Sequence, residues 1–189
     1  MSMKIGIYAG AFDPVHDGHI AVAKAAVSEL GLDKLVFMVE EQPWGSKQPV
    51  SVTCRRDMVD LALAGTDNLS RFETEDKRFS IDTTLAQIEN QFSTSELYFV
   101  FGGDVFMSMN AEQWPGLDKL LHHYIVVFER AGVTEADITN HARGLGIVTA
   151  IITSPHPDHS STRVRMMPHQ KSVYVPKNVA EYIDENGLY

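Results

Sequence analysis

The chain of 189 residues has a formal charge of −9, with 44% hydrophobic and 22% charged residues. That suits one soluble α/β domain with a real core and argues against a general surface for nucleic-acid polymers or acidic membranes. No apolar run approaches the ~20 residues of a membrane span, the start "MSMKIGIYAG" lacks a signal-peptide pattern, and Cys54, the only cysteine, excludes an internal disulfide and suits the cytoplasm.

In chain order, Lys4–Ala9 reads as a short β-branched strand. Gly18–Leu30 reads as a helix, with Ile20, Ala23, Val27 and Leu30 at intervals of three or four and Gly31 as its C-cap. "KLVFMV" (34–39) is a strand covered on both faces, and the polar loop 40–49 follows it. A helix is expected over Val52–Ala64 with Ser51 as N-cap. "RFET" (71–74) reads as a short strand, and Asp82 is placed to cap the helix "TTLAQIENQF". "LYFVF" (97–101) is a buried strand ending in Gly102-Gly103-Asp104, and helical turns are expected within 104–122. "YIVVFE" (124–129) and "IVTAII" (147–152) are the last strands, separated by a helix opened by a Thr134/Asp137 capping box. Pro176 starts a terminal helix. This alternation predicts a Rossmann-like, doubly wound parallel sheet with helices on both faces. Residues 1–189 form one domain, with a small helical part at about 160–189. Ligands of such sheets bind beyond the carboxyl ends of the strands, which draws the segments 10–19, 40–49, 102–104 and 153–165 to one edge.

The most informative segment is "GAFDPVHDGH" (10–19). It lacks the Lys and Ser/Thr of a P-loop and the three spaced glycines of the dinucleotide fingerprint. It offers a strand end, a glycine that lets backbone come close, and a helix N-terminus whose N–H groups and dipole favour an anion. His16 and His19, three apart, share one helical face as a phosphate clamp. "SSTRVR" (160–165) supplies hydroxyls, N–H groups and an arginine suited to a triphosphate. "SPHPDH" (154–159) reads as a polar loop over the site rather than a metal centre.

Together these segments resemble the HxGH nucleotidylyltransferase superfamily. Four further segments resemble its bacterial nicotinate (nicotinamide) mononucleotide adenylyltransferases. They are "RRDMVDLAL", "YFVFGGDVFMSMNAEQW", "VVFERAG" and "VPKNVAEYIDENGLY", so the likeness runs from Ile5 to Tyr189. The resemblance implies adenylyl transfer from ATP to nicotinate mononucleotide, releasing pyrophosphate. It implies that His16, His19 and Arg165 are catalytic. It places ATP against Gly10, Ala11, Phe12, Gly18, Lys47, Gly102, Asp104, Ser160, Ser161 and Thr162. It places the mononucleotide against Arg55, Thr84 and Trp114, the last stacking on the pyridine ring. Mg²⁺ is expected on the ATP phosphates, with no metal-ligating residues of the protein's own.

The sequence departs from that pattern in three places. "QPWGSK" keeps Lys47 but lacks a histidine, "FSIDTTL" lacks a tyrosine, and the stretch between Arg165 and Val175 is short. Another adenylyltransferase of the superfamily, such as phosphopantetheine adenylyltransferase, and an inactive nucleotide sensor are the alternatives. Preference between the acid and amide mononucleotides, and homo-oligomerisation, stay open at this level.

Overall fold

The computed structural model describes residues 2–44, 48–130 and 132–189. Its strands are β1 (Lys4–Gly10), β2 (Lys34–Val39), β3 (Leu69–Phe72), β4 (Glu96–Gly102), β5 (Tyr124–Phe128) and β6 (Ala150–Ile152). Its helices are α1 (Asp17–Leu30), α2 (Val52–Leu63), α3 (Thr84–Gln91), α4 (Gly103–Met107), α5 (Leu117–Leu120), α6 (Glu135–Gly144), α7 (Ser161–Met166) and α8 (Lys177–Glu185). A 3₁₀ stretch, Pro168–Val173, joins the last two helices. Every strand pair is parallel and the order is β3-β2-β1-β4-β5-β6. The chain therefore forms a doubly wound sheet whose order reverses between β1 and β4.

The apolar runs divide by the two-residue period of a strand. Tyr8, Phe37 and Val100 face α1, α2 and α8, while Ile7, Met38 and Phe99 face α3 to α6. Both faces are covered, so the central strands need no polar side. Val179, Ala180 and Ile183 of α8 join the first of these clusters, and Asn178 and Tyr182 donate to the Leu61 carbonyl and the Asp57 carboxylate of α2 at 2.6 and 2.8 Å. None of the helices among the described residues is long and apolar enough to cross a membrane.

Three local expectations shift. β3 starts at Leu69, two residues before "RFET". β6 is confined to Ala150–Ile152, because β5 offers it only Val126–Phe128 as partners. Asp82 does not cap α3, whose N-cap position is Thr83 with no side-chain bond. The turn before α3 is held instead by Thr84, which donates to Asp76 Oδ2 at 2.6 Å and accepts the Ser80 N–H at 3.0 Å.

Arg55 departs furthest from its expected role. It lies on α2 and is 1% exposed. Its Nε donates to the Val50 carbonyl (2.9 Å), Nη1 to those of Ala11 (2.7 Å) and Glu40 (2.6 Å), and Nη2 to that of Glu41 (2.9 Å). The guanidinium thus ties the loop after β1 to the loop after β2. Four of its five N–H donors are bonded to backbone and it does not line the cleft, so the structure places it as a support beneath the site, away from the position expected for a mononucleotide ligand.

α1 begins in an unusual way. Its N-cap is His16, whose Nδ1 accepts the His19 N–H at 3.3 Å, while His19 Nδ1 accepts the His16 N–H at 3.2 Å. This is a capping box built from two imidazoles, which stack with centroids 3.6 Å apart. With each Nδ1 serving as acceptor, a neutral ring carries its proton on Nε2. Burial pushes the His16 pKa down to about 3, helped by the neighbouring His159. Burial, then the charge His16 would carry, holds His19 well below the ordinary value as well.

Two tests follow from these supports. Arg55→Met leaves four carbonyls without a donor and should lower stability by about 3 kcal/mol or more in urea unfolding. Arg55→Lys should recover only part of that, since one ammonium does not span four acceptors, and a loss under about 1 kcal/mol for Arg55→Met would show that water replaces the guanidinium. For the histidines, the unfolded chain binds protons that the folded one refuses. Their contribution is complete above pH ~6.5 and is lost as pH falls towards the depressed folded values. Without nucleotide, His16 should account for about 2 kcal/mol of the stability lost between pH 7 and 5, and His19 should add to that loss in the same direction. The double variant His16→Asn/His19→Asn should flatten that slope in unfolding titrations.

Candidate active site

The carboxyl ends of the strands open into a cleft of about 1170 Å³. That exceeds the usual volume for one small ligand and gives room for two nucleotides. At its centre lies the loop 10–16. Phe12 takes a left-handed backbone there, φ 48°, a conformation costly for a bulky residue. Packing holds it in place: the Phe12 ring meets Tyr8, Phe37 and His19 at centroid distances of 5.4, 5.2 and 5.0 Å.

The outer side of the loop is fixed through Asp13, which is buried. Its Oδ1 accepts from the Tyr189 hydroxyl (2.6 Å) and the Val50 N–H (3.3 Å). Arg165 donates through Nη1 to the Asp13 carbonyl at 2.5 Å and through Nη2 to the Thr162 hydroxyl at 3.1 Å, with Asp13 Oδ2 3.6 Å away. Ser161 donates to the Pro14 carbonyl at 2.8 Å. α7 is thereby docked on the loop, and Ser161, Thr162 and Arg165 face the same space as His16 and His19.

The start of α1 is less open to an anion than its sequence implies. The Asp17 N–H is taken by the Tyr174 carbonyl at 2.8 Å, and that of His19 by His16. The Gly18 N–H is left without an acceptor among the described residues. A Cβ on Gly18 would lie 2.9 Å from His16 Nδ1 and 3.1 Å from the His159 Cβ, so glycine is required where the helix, the cap and the loop 154–159 converge. The donors this loop offers to the cleft therefore come mainly from side chains, and of the two imidazoles only the Nε2–H groups are free, because both Nδ1 atoms are occupied.

Of the other expected residues, Gly10, Ala11, Phe12, Gly18, Gly102, Asp104 and Trp114 line the cleft. Asp104 stands in the first turn of α4 and pairs with Arg130 at 3.3 Å. Trp114 is half-buried, edge-on to Phe101, with its indole N–H on the Ser108 hydroxyl at 3.3 Å. Thr84 is fully buried and supports the turn 76–84, whose Ser80, Ile81 and Asp82 reach the cleft in its place. Ser160 caps α7, its Oγ accepting the Arg163 N–H at 3.2 Å. Lys47 lies outside the described residues.

Sequence reasoning passed over Arg78, Arg130 and the two histidines of loop 154–159 as individual site residues. Arg130 had a readable signal, since "ER" closes a predicted strand. His156 and His159 stack at 4.6 Å on the cleft wall, with His159 6.4 Å from His16. Among the described residues no group of three His, Cys, Asp or Glu side chains is placed to hold a metal ion.

Comparison with known proteins agrees with this arrangement. The family model described as cytidylyltransferase-like matches residues 7–167. A protein of Clostridium botulinum named "Probable nicotinate-nucleotide adenylyltransferase" is 31% identical, over 98% of this chain and 98% of its own length. A protein of the same name in Dehalococcoides mccartyi is 31% identical, over 100% of this chain and 98% of its own. Among solved structures, the Plasmodium falciparum nicotinic acid mononucleotide adenylyltransferase complexed with NaAD matches with a TM-score of 0.81. It is 16% identical, over 99% of this chain and 97% of that one, and shares the fold. By profile, full-length similarity and the cleft it builds, the chain belongs to the cytidylyltransferase-like family, among its nicotinate-nucleotide adenylyltransferases.

Proposed function

We propose that this chain transfers the adenylyl group of ATP to nicotinate mononucleotide, giving nicotinate adenine dinucleotide and pyrophosphate. The observation that carries this is the imidazole capping box. It presents two Nε2–H donors, fixed in tautomer and orientation, at the centre of a cleft large enough for both substrates. The mononucleotide phosphate has a second pKa near 6, so at neutral pH it is mostly dianionic and needs no base. One of its oxygens bonds to the α-phosphorus of ATP. The bond from that phosphorus to the α–β bridging oxygen breaks, and its electron pair leaves with pyrophosphate. No proton moves in this step.

The chain contributes position and charge compensation. His16 and His19 donate to the α-phosphate oxygens and do not act as bases, because their Nδ1 lone pairs are committed to backbone. Ser161, Thr162 and the outer face of Arg165 hold the departing phosphates, with Lys47 assigned to the same task. Asp104 accepts from a ribose hydroxyl, and Trp114 stacks on the pyridine ring. The donors around the loop are hydroxyls, N–H groups and a guanidinium, and the buried Asp13 carboxylate is already occupied. That set fits Mg²⁺ arriving on the ATP phosphates, where it supplies part of their charge neutralisation. The nucleotide substrates and the single cysteine support a cytoplasmic reaction.

An acceptor panel with ATP tests the assignment. Pyrophosphate release should require a pyridine mononucleotide, and absence of product with both the acid and the amide rejects it. His19→Asn keeps an acceptor for the His16 N–H and removes the Nε2–H. It should lower kcat by about 10²–10³-fold while thermal unfolding shows the fold retained. Wild-type turnover in that variant would remove His19 from the mechanism.

A further inference from the structure

Three arginines line the cleft, and two are committed to the protein's own anions. Arg130 pairs with Asp104 at 3.3 Å, and Arg165 is bound to Asp13. Arg78 is different. Among the described residues no carboxylate lies within ion-pair distance of it. Glu40 is buried nearby and senses its charge, but the Glu40 Oε1 is taken by the Phe79 N–H at 2.8 Å. The Arg78 guanidinium lies 4.7 Å from the ring centroid of Trp44, an indole that is 72% exposed where it borders the cleft. Such a contact orients a guanidinium without neutralising it.

Its position also separates it from the hydroxyls and arginine of α7. Arg78 and Trp44 follow β3 and β2, at the opposite end of the sheet from β6, which α7 follows. The segment after Arg78 meets the Trp114–Gly116 turn, where a Cβ on Gly116 would stand 3.2 Å from Ile81 Cγ2. Arg78 and Trp114 therefore border one compartment, the one assigned above to the pyridine ring. An unpaired guanidinium beside the place where an aromatic ring stacks is suited to an anionic substituent on that ring. A carboxylate takes two parallel N–H bonds from arginine, and a carboxamide of the same shape does not.

We propose that Arg78, braced by Trp44, is the residue by which this chain selects a mononucleotide bearing a carboxylate on its base over the corresponding carboxamide. This rests on the acceptor site proposed above, and it names the determinant of acid-over-amide choice.

The test compares nicotinate and nicotinamide mononucleotides in two readouts, kcat/KM with ATP and equilibrium binding by calorimetry. The wild type should favour the acid in both. Arg78→Gln should lower the acid-to-amide ratio about 10- to 100-fold, the scale of a charge-assisted pair, and Arg78→Lys should keep part of it. Trp44→Leu should lower the ratio through KM for the acid and not through kcat, with Trp44→Phe restoring it. A wild-type ratio at or below one, or an Arg78→Gln ratio equal to the wild type, overturns the proposal. Because binding is read separately, an inactive chain whose selective binding depends on Arg78 would refute adenylyl transfer and leave the selection mechanism standing.

Discussion

The active site depends on one buried guanidinium. At the carboxyl edge of a parallel sheet the backbone leaves its ladder, and the carbonyls of the turns lose their sheet partners. Arg55 collects four of them from the loops after β1 and β2 and from Val50. No apolar residue could do this, and a lysine offers too few fixed donors. With the inner side held, Asp13 holds the outer side, gathering Tyr189, Val50 and Arg165. The loop that carries His16 is clamped between them, including its left-handed Phe12. The clamp makes the site preorganised, so binding ATP need not spend energy on ordering the groups that receive it.

What was legible in the sequence was local or uniform. The central strands showed because burial on both faces leaves only apolar residues at successive positions. The Thr134/Asp137 cap showed because both partners lie within one turn. The histidine pair showed through its spacing of three, which puts both rings on one helical face, but its work as a capping box did not, because histidine is not an expected N-cap residue. What was not legible was direction. Arg55 and Thr84 each stand at a motif position, and nothing in residue type says whether a side chain points up into the cleft or down beneath it. That is decided by the depth of the helix against the sheet, a tertiary fact. The short edge strands slipped because a strand of three or four residues has little pattern to read and its limits are set by its neighbour. The 3₁₀ stretch Pro168–Val173 buries none of its residues, so no apolar period announced it.

The overall charge of −9 and a polyanionic substrate are reconciled by the same economy. Most cations of the cleft are already matched to anions of the chain: Arg130 to Asp104 and Arg165 to Asp13. In the proposed mechanism the phosphates meet neutral imidazole donors, which present hydrogen bonds without carrying a charge through the apo state. A buried cluster of free cations would repel itself and weaken the fold.

The imidazole capping box divides each histidine into two halves. The Nδ1 half starts a helix and the Nε2 half is left for the cleft. Selection for a stable fold acts on the first, and selection for turnover acts on the second, yet both fall on the same two positions. A descendant that lost its chemistry would still be penalised for losing either cap acceptor, so an intact pair in some relative would not by itself attest to an active enzyme. The informative replacement is an asparagine or aspartate at one of the two positions. It can keep the helix start while giving up the Nε2–H, and it would mark a lineage in which the fold outlived the reaction.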